Sequence, residues 1–310
     1  MKRTKLTGLL TIAIAGSSLL AATQADAATL RYRQSGNWTT LSPDGAAAGW
    51  VVNGSNAVIG AQPGIADDTR INFGGNTVTV DSNVGTVRNV QIGVDEDGNV
   101  IVANGGVLSA DLDVLAGNNN ANATGTLTVQ NGGTVNVGRI LWAAQTNSDG
   151  VINVEQGGVI NVASHLWWGV TGTANITING TVNQTGGILG MGTSDAVNAT
   201  GGTALVEIGD NGVLSLNNIS GGAGTPSIQA GSSIDITGTG QLRVLGDQVG
   251  SINNYILAGE ITGNGIVSNA DLVVDLTTNP GFTTVYLVPE PSSLALIGLG
   301  GLLIARRRRG

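Results

Sequence analysis

Thirteen residues that recur at a fixed distance constrain this chain more than any other feature. Residues 125–137 read GTLTVQNGGTVNV and residues 150–162 read GVINVEQGGVINV, an offset of 25 residues. Within each copy apolar and polar residues alternate, the period-two pattern of a strand with one buried face. Gly-Gly and Asn-Gly dipeptides separate the strands. Looser copies lie at 104–112, 172–183, 202–216 and 231–236. A third strand recurs as Arg139–Trp142, His165–Trp168 and Gly187–Gly190, with Trp142 and Trp167 again 25 residues apart. One such unit cannot bury its Val, Ile and Leu side chains alone. Stacking units about 4.8 Å apart pairs their backbones and encloses a continuous apolar interior. The expected fold is therefore all-β: a right-handed parallel β-helix (β-solenoid) of about eight coils, with short apolar helices at both termini. An antiparallel β-sandwich pair also uses many short strands, but the 25-residue echo weighs against it.

Composition agrees with stacked strands. Glycine accounts for 50 of the 310 residues, charged residues for 11% and aromatics for 3%. Glycine disfavours helix, while 41% apolar content with little charge can bury a core. Aligned like charges one coil apart would repel, and stacked Asn side chains can form hydrogen-bonded ladders. No cysteine is present, His165 is the single histidine, and lysine occurs only at Lys2 and Lys5. Between residues 28 and 287 six arginines face nineteen acidic residues, a formal charge of −13. Such a surface excludes a nucleic-acid partner, which needs Lys and Arg against phosphate.

Both ends read as addresses. Met1 to Lys5 is basic, residues 6–22 are apolar, and Ala25-Asp26-Ala27 forms a small-x-small site before Ala28. These are the three regions of a secretory signal peptide, with cleavage expected after Ala27. At the other end Pro289-Glu290-Pro291 precedes an apolar run over 294–305, and Arg306, Arg307, Arg308 and Arg309 follow. The run is short for a full span of about 20 residues, and the arginines would stay cytoplasmic. The triplet, short apolar helix and terminal arginines together resemble the PEP-CTERM sorting tag. That resemblance covers about 23 residues at the C-terminus. It implies transient contact with an exosortase, a membrane transpeptidase acting near the triplet. It further implies an exported protein of a Gram-negative bacterium that makes exopolysaccharide. The chain would be membrane-anchored before processing and then held at the cell envelope, surface or extracellular matrix. The secretion translocase is the other partner expected, and exopolysaccharide a further one.

The chain thus divides into a signal peptide (1–27), an N-terminal cap with the first strands (28–90), solenoid repeats (91–287) and the sorting tag (288–310). The segment 35–90, with Gly36-Asn37-Trp38 and Gly49-Trp50, is similar to the opening of bacterial surface solenoids with autotransporter-type repeats. Residues 253–288 read as the last coils and a stalk.

The chemistry-bearing residues are few. Asp111/Asp113 and Asp271/Asp275 are candidate carboxylate pairs of the sort a glycosidase uses, although outward polar positions on a solenoid look the same. Asp95-Glu96-Asp97-Gly98-Asn99 resembles a Ca²⁺ loop but lacks the alternating acids and distal Glu of an EF-hand. Thr77/Thr79, Thr126/Thr128 and Thr237/Thr239 do not form an array from coil to coil. Trp142 and Trp168 beside His165 are candidate sugar-stacking platforms, with packing between coils as the plainer reading. No catalytic, cofactor-binding or metal residues are assigned. The expected function is a non-enzymatic structural or adhesive surface protein. The alternative is a carbohydrate-active β-helix enzyme, a polysaccharide lyase or hydrolase.

Overall fold

In the computed structural model, which describes residues 27–40, 49–55, 57–119, 122–194, 199–221, 226–266 and 271–288, the chain winds as a three-sided β-solenoid. Turns one to six each lay one strand on each of three sheets, and turn seven meets the first sheet through a single bridge from Ile228 to Met191. Turn one contributes Asp68–Ile71, Asn76–Val80 and Asn83–Val87, and turn four contributes Ile140–Ala143, Asp149–Val154 and Val159–Val162. Equivalent strands of successive turns pair in parallel on all three sides. Gly125 pairs with Gly150 and Trp142 with Trp167, so the 25-residue echo is one turn. Turn five is tighter: Asn179-Gly180 rounds a corner where turn four uses residues 155–158, and Val159 then pairs with Thr181.

The alternation seen in sequence becomes inside and outside. In Thr124–Val129, Gly125, Leu127 and Val129 are buried while the three threonines that alternate with them face out. Each inward Val, Leu or Ile contributes about 1.5–3 kcal/mol by leaving water. The corner between the second and third sheets explains the Gly-Gly dipeptides. A Cβ on Gly133 would lie 2.4 Å from the Val102 carbonyl oxygen of the turn below, and one on Gly158 would lie 2.5 Å from that of Val129. Only hydrogen fits there.

About seven turns form, spanning residues 68–245, where eight are expected from length alone. The difference lies at the C-terminal end. Instead of last coils and a stalk, the chain makes a helix, Val249–Ala258, whose Ile252, Tyr255 and Ile256 cover the open end of the core. The Tyr255 hydroxyl donates to the Ile219 carbonyl at 3.0 Å and accepts from the Ser227 N–H at 2.8 Å. After Ile261–Gly263 extends the second sheet, Leu272–Asp275 and Phe282–Leu287 form an antiparallel hairpin on the third. Phe282–Leu287 is the inner strand, between Gln241–Leu245 and Leu272–Asp275. The Asp275 carboxylate closes the hairpin, accepting the N–H groups of Thr277 and Thr278 and the hydroxyls of Thr278 and Tyr286. These donors hold its carboxyl well below the usual range, the Thr278 N–H first among them.

The N-terminal end is closed by aromatic packing. Trp50–Val52 runs antiparallel to Thr29–Tyr32, and Trp50 meets Tyr32 and Trp38 edge-on at 5.1 and 4.6 Å. The Trp50 indole N–H donates to the Trp38 carbonyl at 3.0 Å, and the Tyr32 hydroxyl to the Asn37 carbonyl. The short apolar helices expected at the two termini fall on residues outside those described. Val249–Ala258 is the one α-helix among the described residues.

Candidate functional site

The three outer faces differ in chemistry. On the first sheet, one outward column runs Arg70, Gln91, Leu115, Trp142, Trp167 and Gly190. Trp142 and Trp167 are 6.5 Å apart, and the His165 ring stacks on Trp167 at 5.1 Å. A Cβ at Gly190 would strike the Trp167 ring at 2.2 Å, so the indole lies on that glycine. Leu115, Ile140 and Val170 complete an apolar cluster in which Trp142 and Trp167 are only 4% and 1% exposed. The candidate pairing of Trp142 with Trp168 is corrected here. Trp168 points the other way, into the core, because it shares strand parity with buried Leu166. Its partner column holds Ala143 and Met191. With so little surface, neither Trp142 nor Trp167 presents a stacking platform.

The candidate carboxylates are engaged in structure. Asp113 takes a bidentate grip from Arg139 (2.8 and 2.5 Å) and accepts the Ile140 N–H, while Asp111 is exposed at the preceding corner. Hydrogen bonding to Asp113 raises the Arg139 pKa. Asp275 closes its hairpin, and Asp271 offers its backbone carbonyl to Val288 at 2.9 Å. In the acidic turn, Glu96 accepts from the Gly74 N–H and Asp97 from the Thr124 N–H. These acids cap backbone of neighbouring turns. Among the described residues no three His, Asp or Glu side chains gather as a metal cluster.

One carboxylate pair is absent from the sequence expectations. Glu207 and Asp235 occupy paired positions of adjacent turns and line a hollow of about 520 Å³ on the second sheet with Leu205 and Thr262. The available signal was their shared position in the repeated strand. Asp235 accepts from the Thr262 hydroxyl at 2.7 Å and the Gly265 N–H at 2.8 Å.

The third sheet carries an amide ladder. Asn183 donates to the Asn161 side-chain oxygen at 3.2 Å, Asn161 to Asn136 at 3.1 Å, and Asn136 to the Ser109 hydroxyl at 3.3 Å. Ser215 and Arg243 continue the column. A trough runs beside it, bounded by the corner residues Gly138, Ala163 and Thr185 and ending at Leu245 and Phe282.

Of the cleavage-site residues, Ala25 lies outside the described residues and Ala27 is exposed. Ala28 is half-buried, and its N–H donates to the Asp67 carboxylate at 3.2 Å while its carbonyl accepts from the Asp68 N–H. Pro289, Glu290, Pro291 and Arg306 to Arg309 lie outside the described residues. Among the described residues no helix is long and apolar enough to cross a membrane.

Fold and faces define a capped, three-sheet β-solenoid. Residues 287–309 match the PEP-CTERM protein-sorting motif, so this solenoid carries a PEP-CTERM tag. The motif implies an exported protein that is processed by an exosortase, anchored in the membrane first and attached to the surface afterwards. Among curated proteins and solved structures nothing matches the chain.

Proposed function

We propose that the chain is a non-enzymatic structural or adhesive element of a Gram-negative cell surface or exopolysaccharide matrix, delivered by its sorting tag. The observation that carries this reading is the continuity of rod and tag. Leu287 pairs with Leu272 in the final hairpin and also lies within the matched motif, so the solenoid itself is the tag's immediate cargo. The rod winds right-handed, as parallel crossovers prefer. A carbohydrate-active enzyme would combine acids with aromatic subsites. Here Glu207 and Asp235 lie on the second sheet, while Trp142 and Trp167 are buried on the first. Incubation of the purified domain with neutral and acidic polysaccharides separates the readings. Retention on a polymer without release of reducing or unsaturated ends is the expected result, and release of ends would overturn it.

Export through the secretion translocase and cleavage after Ala27 belong to the same proposal. Hydrolysis of the Ala27–Ala28 bond leaves an ammonium on Ala28, 3.2 Å from the Asp67 carboxylate where an amide N–H donates before. A hydrogen bond with one charged partner thereby becomes an ion pair. Asp67→Asn is expected to destabilise the mature protein by about 1 kcal/mol, and a chain retaining residues upstream of Ala28 by less. Denaturant melts of both forms check this. Equal losses would show that Asp67 serves only the Gly64 turn, whose N–H it also accepts.

A further inference from the structure

Two hollows on the outer face of the third sheet join into one trough, and a third opens across the ladder from them. The first, of about 380 Å³, shares Asn161 and Thr185 with the second, of about 390 Å³. The second shares Asn183, Ser215 and Phe282 with the third, of about 250 Å³. The trough therefore follows the solenoid axis from Thr86 in turn one to Leu245 in turn seven, roughly 29 Å at about 4.8 Å per turn. It crosses the strands instead of running along one.

One wall is the amide ladder, and the corner residues form the other. Each of Asn136, Asn161 and Asn183 spends one N–H on the turn below. Among the described residues the second N–H of each amide has no protein partner, and these N–H groups recur at the spacing of the turns. Ser109 and Ser215 add hydroxyls to the same column. Amides and hydroxyls donate and accept, as sugar hydroxyls do, and the far end offers Leu245 and Phe282 to an apolar ring face. Charge is nearly absent. Asp111 stands at one end and Arg243 at the other, with the Arg243 guanidinium turned onto the Gln241 side-chain oxygen at 2.8 and 3.1 Å. The −13 formal charge between residues 28 and 287 disfavours a polyanion.

From this geometry we infer that the trough binds a neutral polysaccharide chain lying parallel to the solenoid axis, several sugar units at once. The inference rests on the matrix-binding reading and names its ligand class and its face. It gives the Asn ladder a second role beyond joining turns: the ladder fixes a row of amides in register before the ligand arrives, which lowers the ordering cost of binding.

The test uses the mature protein with a soluble neutral glucan and with polygalacturonate, read by affinity electrophoresis and calorimetry. Retardation by the neutral polymer is expected. The pair Asn161→Asp and Asn183→Asp should weaken it about tenfold or more. Thr185→Trp fills the trough where two hollows meet without touching the ladder, and should also abolish binding. Asn153→Asp, an outward position on the second sheet, should leave binding unchanged. The Thr185→Trp result stands if the ladder variants fail to fold. Unchanged neutral-glucan binding in Thr185→Trp would overturn the trough and leave matrix binding intact. Binding of polygalacturonate alone would overturn the neutral class. Failure to bind any polymer, here and across the wider panel, would overturn the adhesive reading itself.

Discussion

Replacement of Pro289, Glu290 and Pro291 by alanine is expected to leave the protein as a full-length precursor in the membrane fraction, with little or none reaching the surface. The triplet lies inside the matched motif, one residue beyond the last described position of the solenoid. Proline fixes the backbone and removes an N–H, so the triplet cannot continue the hairpin pairing that ends at Leu287. Fractionation and immunoblotting of wild type and variant in a host with an exosortase check this. Normal size and surface delivery of the variant would refute a role for the triplet. The fold should be indifferent to the change, so circular dichroism of both solenoid domains should coincide.

The second large effect concerns the corners. Gly133→Ala places a methyl group 2.4 Å from the Val102 carbonyl oxygen and 3.1 Å from that of Gln130, both backbone atoms that cannot swing aside. A loss of about 3 kcal/mol is expected, from overpacking against a fixed ladder. Each turn contacts mainly its neighbours, so the damage should appear as a weakened joint in mid-rod, with two unfolding steps replacing one. Gly250→Ala is the matched control. It sits near the start of the helix with nothing within 4 Å, and alanine there should be neutral or stabilising by up to about 1 kcal/mol. Denaturant melts followed by tryptophan fluorescence distinguish the two. Equal stability of Gly133→Ala and wild type would mean that the corner relaxes.

Much of this architecture can be read in the chain because the repeat is the structure. The 25-residue offset is the register of Gly125 on Gly150 and Trp142 on Trp167. The Gly-Gly dipeptides mark the crowded corner, and the Asn columns form the ladder. The Trp168 assignment failed on parity. Leu166 and Trp168 point one way and Trp167 the other, a choice that the neighbouring Leu141 would have settled. The extra coil failed for a different reason. Residues 249–258 have a helical apolar spacing at Ile252, Tyr255 and Ile256, which division of length by period overlooks. The trough was not legible. One wall is periodic, but the other is made of corner residues and a hairpin that meet it only in three dimensions. Glu207 and Asp235 escaped notice because they lie 28 residues apart, outside the strict period.

The place of the final strand has a mechanical consequence. Phe282–Leu287 is the last of the described strands in sequence but second from the edge, clasped between Gln241–Leu245 and Leu272–Asp275. Tension delivered through the tag enters at Val288. It therefore meets two rows of backbone hydrogen bonds instead of one, and the Asp275 knot stands at the far end of the hairpin. A rod held by its tag while the other end is dragged by a matrix must break both rows before its core is exposed. Chain order thus gives the solenoid an end that resists peeling where the tag begins.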